Sequence, residues 1–164
     1  MTDVEITAMG PEDWERVRAV RLAALADAPD AFGTLLEEDA ALDGAAWRGR
    51  LTPEDRKTWL ALRGDEALGL VVCAPYEDEA GLFSMWVAPQ GRGKGIGDRL
   101  VQTVLQWAKA KGYAAVRLGV GDFNEPAIRL YARHGFQPNG KTDALPPPRD
   151  HVLEHEREHR FDPN

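Results

Sequence analysis

The chain has 164 residues, 43% of them hydrophobic, with 20 Lys and Arg against 27 Asp and Glu, a formal charge of −7 and a single cysteine. That is one domain's worth of sequence with enough apolar content for a buried core, which excludes a disordered chain. A lone thiol, Cys73, excludes an intramolecular disulfide framework and any multi-cysteine zinc site, and fits a reducing cytoplasm. The opening residues MTDVEITAMG lack the basic start and apolar run of a secretory signal. The longest nearly apolar stretch, residues 68–74, is far too short to span a membrane, so a soluble, uncleaved protein is expected. Net acidity disfavours general binding to nucleic acid. Residues 92–141, however, hold nine basic and three acidic side chains, a net of +6 against −13 elsewhere. Either a local anionic ligand or solvated helix faces would account for that imbalance.

Val4, Ile6 and Ala8 alternate with polar residues and predict a first strand. Pro11 then opens an amphipathic helix with apolar residues at Trp14, Val17, Val20, Leu22, Ala24 and Leu25, ending near Pro29. In residues 31–51, Glu37, Glu38 and Asp39 suit an exposed helix start, Gly44 interrupts the pattern, and Trp47 with Leu51 forms an i, i+4 apolar pair. The expectation there is a loop and one shorter helix. Three strand-like runs follow at 58–62, 67–74 and 81–87, separated by Gly64-Asp65 and by Pro75 with Glu77, Asp78 and Glu79, and predict an antiparallel meander.

The strongest helix runs over residues 97–111, where Leu100, Val101, Val104, Leu105 and Ala108 recur at helical spacing before Gly112. Val116, Leu118 and Val120 predict a strand, residues 124–134 a helix stopped by Gly135, and Phe136 opens a sixth strand. Pro146-Pro147-Pro148 is a stiff connector to a last strand over 152–161. Neither a repeat nor a linker divides the chain, so residues 1–164 read as a single domain. His151, His155 and His159 would line one face of a helix, but a strand puts His155 and His159 roughly 13 Å apart, too far to share an ion. No metal site is predicted.

The informative stretch is residues 85–97, in which Met85-Trp86-Val87 passes through Gly91, Arg92, Gly93, Lys94 and Gly95 directly into the strongest helix. Glycines let backbone amides approach a phosphate without Cβ interference, and a helix start adds positive potential. A pyrophosphate is the expected ligand. Gly95 follows Lys94 where a nucleotidase-type phosphate loop requires Ser or Thr, and the preceding strand ends an antiparallel meander rather than opening a parallel unit, so both common nucleotide motifs are disfavoured. Downstream, Asn124 can cap the next helix with Pro126 in its first turn. Tyr131 falls seven residues later on the same face.

These residues carry a resemblance. Arg92-Gly93-Lys94-Gly95-Ile96-Gly97 is similar to the Arg/Gln-x-x-Gly-x-Gly/Ala signature of the GNAT superfamily of acetyl-CoA-dependent N-acetyltransferases. Asn124 through Ala127, Tyr131 and Gly135-Phe136 resemble its Asn-x-x-Ala-x-x-x-Tyr-x-x-x-Gly-Phe segment. The resemblance implies an α+β fold: a mostly antiparallel sheet of six to seven strands, flanked by about four helices, with its fourth and fifth strands splayed to admit acetyl-CoA. Met85, Trp86 and Val87 would offer main-chain groups to the pantetheine arm. Arg92, Gly93, Lys94, Gly95, Ile96 and Gly97 would hold the pyrophosphate, Asn124 would contact the cosubstrate, and Tyr131 would protonate the departing thiolate. Acetyl-CoA would serve as cosubstrate without a metal.

A primary amine would then attack the acetyl carbonyl directly, with main-chain donors near Val87 stabilising the oxyanion. An alkylamine of lysine-like pKa is neutral in only about one molecule in two or three thousand at pH 7, so a proton acceptor is required. Similar proteins often carry a Glu on the fourth strand, but residues 81–87 contain no carboxylate. Glu79 is the named candidate, beside Glu77, Asp78 and Asp122, acting directly or through a water chain. The acceptor, a small-molecule or peptide amine and neither nucleic acid nor membrane, would meet Phe32, Glu37 and Trp47, and the connector at 146–148. Homodimers are common among similar proteins. The rival readings are a non-catalytic sensor of CoA or acyl-CoA, and an interaction module with an incidental glycine turn.

Overall fold

A computed structural model describes residues 3–162. Seven strands, β1 (Glu5–Met9), β2 (Lys57–Arg63), β3 (Glu66–Tyr76), β4 (Glu79–Val87), β5 (Ala115–Gly121), β6 (Gln137–Ala144) and β7 (Leu153–Arg160), form one sheet in the order β1-β2-β3-β4-β5-β7-β6. Every neighbouring pair is antiparallel except β4 and β5. The helices are α1 (Trp14–Asp27), α2 (Leu36–Ala40), α3 (Gly44–Arg50), α4 (Ile96–Ala110) and α5 (Glu125–Arg133). The mixed, mostly antiparallel architecture expected from the sequence is therefore present, with five helices in place of about four. The extra one arises because residues 31–51 form two short helices separated at 41–43, each too brief to show a periodic pattern.

Side chains of the sheet alternate between two cores. Trp59 and Ala61 of β2 and Val71 and Cys73 of β3 pack with Ile96, Leu100, Val101, Val104 and Ala108 of α4. Leu60, Leu62 and Leu70 point the other way, against Val17, Val20, Ala24 and Leu25 of α1 and against Trp47. Each such apolar side chain, fully buried, contributes about 2 kcal/mol of transfer free energy, so α4 and α1 are held chiefly by the faces they present to the sheet. Cys73 lies inside the first core, where burial pushes its thiol up to about 12, and is inert packing.

Within β4 one residue breaks the alternation. Val72 pairs with Phe83 and Leu70 with Trp86, so β4 advances three residues while β3 advances two. The extra residue is a bulge at Ser84, which is held at φ +60° without being glycine. Leu82 consequently faces α4, whereas Trp86 turns into the opposite core and donates its indole N–H to Asp27 at 3.0 Å. The bulge reverses the phase of β4 where the strand begins to part from β5.

Asp39 corrects the expectation of an exposed acidic helix start. It sits in the first turn of α2, but its carboxylate is only 1% exposed and accepts hydrogen bonds from Arg21 at 3.0 Å and Arg50 at 2.9 Å. Burial by itself would raise that carboxyl. The Arg50 and Arg21 guanidiniums outweigh burial and hold it below the usual carboxylate range. Glu37 and Glu38 remain exposed, as expected.

Candidate active site

Parallel pairing between β4 and β5 is confined to Ala80 with Val116 and Gly81 with Arg117. Beyond that point β5 stays zipped to β7 along its whole length, from Ala115–Arg160 to Gly121–Glu154, while residues 82–87 of β4 run on without a β5 partner. The fourth and fifth strands thus splay in the middle of the sheet. A cleft of about 750 Å³ opens there, lined among others by Leu82, Ser84, Met85, Leu118, Val120, Asn124 and Tyr131. Backbone groups on an unpaired strand edge require a partner, and an extended polar ligand can supply it.

The glycine-rich corner lies where β4 passes into α4. Gly93 and Gly95 adopt φ +77° and +78°, and the space a Cβ would occupy at each is open. Gly95 is the N-cap of α4, a fifteen-residue helix whose first amides have no intrahelical acceptor. A β carbon at Gly97, by contrast, would meet Leu130 of α5 at 3.2 Å, so this glycine serves helix packing. Lys94 and Arg92 are exposed. Arg92 is already engaged, donating to the Val87 carbonyl at 3.0 Å and to Asp27 at 2.6 Å, so its charge is shared with an acid. Asp98, in the first turn of α4, pairs with Arg133 at 3.1 Å and His134 at 2.7 Å, which offsets part of its negative charge at the corner.

Asn124 caps α5 as its position predicts, its side-chain oxygen accepting from Ala127 N at 3.4 Å, with Pro126 in the first turn. Tyr131 lies on the same helix, 6% exposed, with its ring edge-on to Phe136 at 5.8 Å. Both line the cleft. The Tyr131 hydroxyl makes no side-chain hydrogen bond among the described residues. Burial, and then the nearby Glu154 charge, push the phenol well above its usual range and keep it protonated.

Among the acids named from the sequence, Glu79 opens β4 in a buried position with its carboxylate 3.8 Å from Arg160, and it is not among the cleft-lining residues. Glu77 and Asp78 turn towards Arg117. The carboxylates that do line the cleft are Asp143 of β6 and Glu154 and Glu156 of β7. Their environments differ. Glu156 accepts from the Tyr76 hydroxyl at 2.6 Å and from Asn139 at 2.5 Å; burial would raise it, but these hydrogen bonds hold it low. Glu154 has no ion-pair partner among the described residues and lies beside Asp143, its register partner on β6. Burial first, and the Asp143 charge second, raise its carboxyl against the opposing pull of Arg149. A cleft holding one buried phenol and one carboxyl displaced towards neutrality has the two groups needed to donate and accept protons.

Two segments named from the sequence for the acceptor meet at one side of the cleft. Arg149, from the connector that follows Pro146-Pro147-Pro148, donates to the Phe32 carbonyl at 2.6 Å and also to the Pro29 carbonyl, fastening residues 29–32 over the cleft. Phe32 lines the cleft, Trp47 lines a smaller adjoining pocket, and Glu37 lines neither. His155 and His159 are separated as the strand spacing requires, His155 near Thr142 and His159 on the His134 carbonyl. No helix among the described residues is long and apolar enough to cross a membrane.

Residues 19–136 match the family described as "Acetyltransferase (GNAT) family". N-acetyltransferase 8F1 of Rattus norvegicus is 37% identical over 89 residues, covering 51% of this chain and 40% of that protein. N-acetyltransferase 8 of Mus musculus is 37% identical over 90 residues, again covering 51% and 40%. The matched stretch thus spans about two fifths of the length of these curated relatives. Among solved structures, the acetyltransferase of GNAT family from Streptococcus pneumoniae superposes with a TM-score of 0.79 at 19% identity, over 98% of this chain and 100% of that one. The PaiA N-acetyltransferase of Thermoplasma acidophilum, solved in complex with coenzyme A, has a TM-score of 0.75 at 18% identity over 97% and 99%. Likeness at such identity establishes a common fold.

Proposed function

The chain belongs to the acetyltransferase (GNAT) family, and from that premise we propose that it transfers the acetyl group of acetyl-CoA to a primary amine by direct attack within a ternary complex. The observation that carries this reading is the parting of β4 from β5 beyond Gly81, beside a glycine corner that opens α4 and under the buried Tyr131. In this reading the free edge of Met85 to Val87 pairs with the pantetheine arm. Trp86 contributes only its main chain, since its side chain belongs to the other core. The amides of residues 93–97, with Lys94, receive the diphosphate. Arg92 reaches it on exchanging Asp27 for phosphate. Asn124 and Tyr131 border the thioester from α5.

Glu154 takes the place that the sequence suggested for Glu79. It accepts a proton from the acceptor's ammonium group, and the freed nitrogen forms the new C–N bond as the C–S bond breaks. Tyr131 hydrogen-bonds the departing sulfur and passes its proton there. The second nitrogen proton, released as the amide forms, returns to Tyr131 through solvent. One proton leaves the site overall, from Glu154. Because burial makes the phenol a weak acid, its transfer to sulfur is favourable only when coupled to that return. The single unpaired thiol, Cys73, supports a reducing, cytoplasmic setting for this reaction.

Incubation of the protein with acetyl-CoA and a library of primary amines, followed by thiol titration and mass identification of product, tests the proposal. Amine-dependent release of free CoA together with an N-acetylated amine is expected. Binding of acetyl-CoA with no transfer to any amine would favour the sensor reading, and hydrolysis alone would remove the transferase.

A further inference from the structure

Beside the main cleft, and sharing Arg21, Thr34, Phe83 and Ser84 with it, lies a pocket of about 260 Å³. Three guanidiniums, those of Arg21, Arg50 and Arg56, line it. Asp39 neutralises part of this charge by bridging Arg21 and Arg50. Arg56 has no ion-pair partner among the described residues, and its Nε is buried without a hydrogen-bond acceptor. Trp47, 1% exposed and also lining the pocket, has an indole Nε1 that is likewise buried and unpaired. Leaving a donor without a partner is costly, and an unpaired guanidinium in an excess of positive charge favours an acceptor-only anion. Burial and the charges of Arg50 and Arg21 already weigh on Arg56, so an anion there also relieves repulsion.

Resting on the acetyl-transfer reading, we propose that this pocket receives a carboxylate carried by the amine acceptor, so that the acetylated class is amines bearing a free carboxyl group. A carboxylate offers two oxygens to the terminal nitrogens of the Arg56 guanidinium, which has no ion-pair partner among the described residues, and stays ionised at neutral pH. The shared wall lets one small molecule place its amine in the cleft and its carboxylate among the arginines. The acceptor is thus selected by an anionic group remote from the reacting nitrogen.

Matched pairs of amino acids and dipeptides, each as the free acid and as the carboxamide, with phosphoethanolamine alongside, test this by kcat and KM from thiol release. The acids are expected to exceed their amides at least tenfold in kcat/KM, chiefly through KM. Arg56→Gln should collapse that ratio towards one. Equal use of acids and amides, a preference for phosphoethanolamine, or an unchanged ratio in Arg56→Gln would overturn the proposal. If no amine releases CoA, the acetyl-transfer reading fails. The carboxylate subsite is then judged by calorimetric titration of the same acids and amides: heats confined to the acids and lost in Arg56→Gln uphold it, and their absence overturns it.

Discussion

Replacing Tyr131 by Phe should lower turnover about a hundredfold while leaving the affinity for acetyl-CoA nearly unchanged. The substitution removes only the phenolic oxygen. The ring is 6% exposed and packs edge-on against Phe136 at 5.8 Å, contacts that Phe preserves. The hydroxyl makes no side-chain hydrogen bond among the described residues, so its loss orphans no buried partner and the fold should hold. Its raised pKa keeps it protonated until the thioester breaks, so it stands ready to donate to sulfur. An effect on kcat without one on binding separates a proton donor from a packing residue. Near-normal turnover, measured by thiol release with calorimetric acetyl-CoA affinity as control, would remove Tyr131 from the chemistry.

Glu154→Gln should cost a comparable factor at neutral pH, and it should also change the shape of the pH profile. With Glu154 present, kcat/KM rises as the carboxyl ionises, at a pH displaced upward from the ordinary glutamate range by burial and by Asp143. In the glutamine variant that limb should vanish, and the rate should follow deprotonation of the amine itself. Stability supplies an independent readout. A carboxyl whose pKa is raised by folding binds more protons in the native state than in the unfolded one. It therefore costs stability as pH rises through and above the ordinary range, and costs none below it. Glutamine removes the cost, so the variant's Tm at neutral pH should equal or exceed that of the parent, with the difference fading in acid. A drop in Tm accompanied by an unaltered pH profile would assign Glu154 a structural role.

Much of the fold was legible because its signals are local. The period of α4, the strand runs of β2 to β5 and the cap at Asn124 depend on near neighbours in sequence, and each appears within a residue or two of its expected place. The glycine corner was legible too, because only a short list of residues tolerates φ near +78° at Gly93 and Gly95. The bulge at Ser84 was not, since a serine in the left-handed region has no sequence signature, and with it the phase of Trp86 was hidden. Asp39 was misread because its two partners come from α1 and α3, and only tertiary contact brings them to one carboxylate.

Glu154 could have been found. Alternation along β7 places Glu154, Glu156 and Glu158 on one face, opposite His155, Arg157 and His159, and three acids on one side of an inner strand call for an explanation. What the strand pattern does not distinguish is which of the three is left unpaired. That depends on Tyr76 and Asn139 claiming Glu156, and on Arg117 claiming Glu158 at 3.2 Å.

Amide hydrogen exchange, with and without saturating acetyl-CoA, addresses the gap between β4 and β5 most directly. Exchange should slow in residues 82–87 and 93–97, while β2 and β6 change little. Unaltered exchange at both segments, with the ligand demonstrably in excess, would contradict the placement of acetyl-CoA between the parted strands.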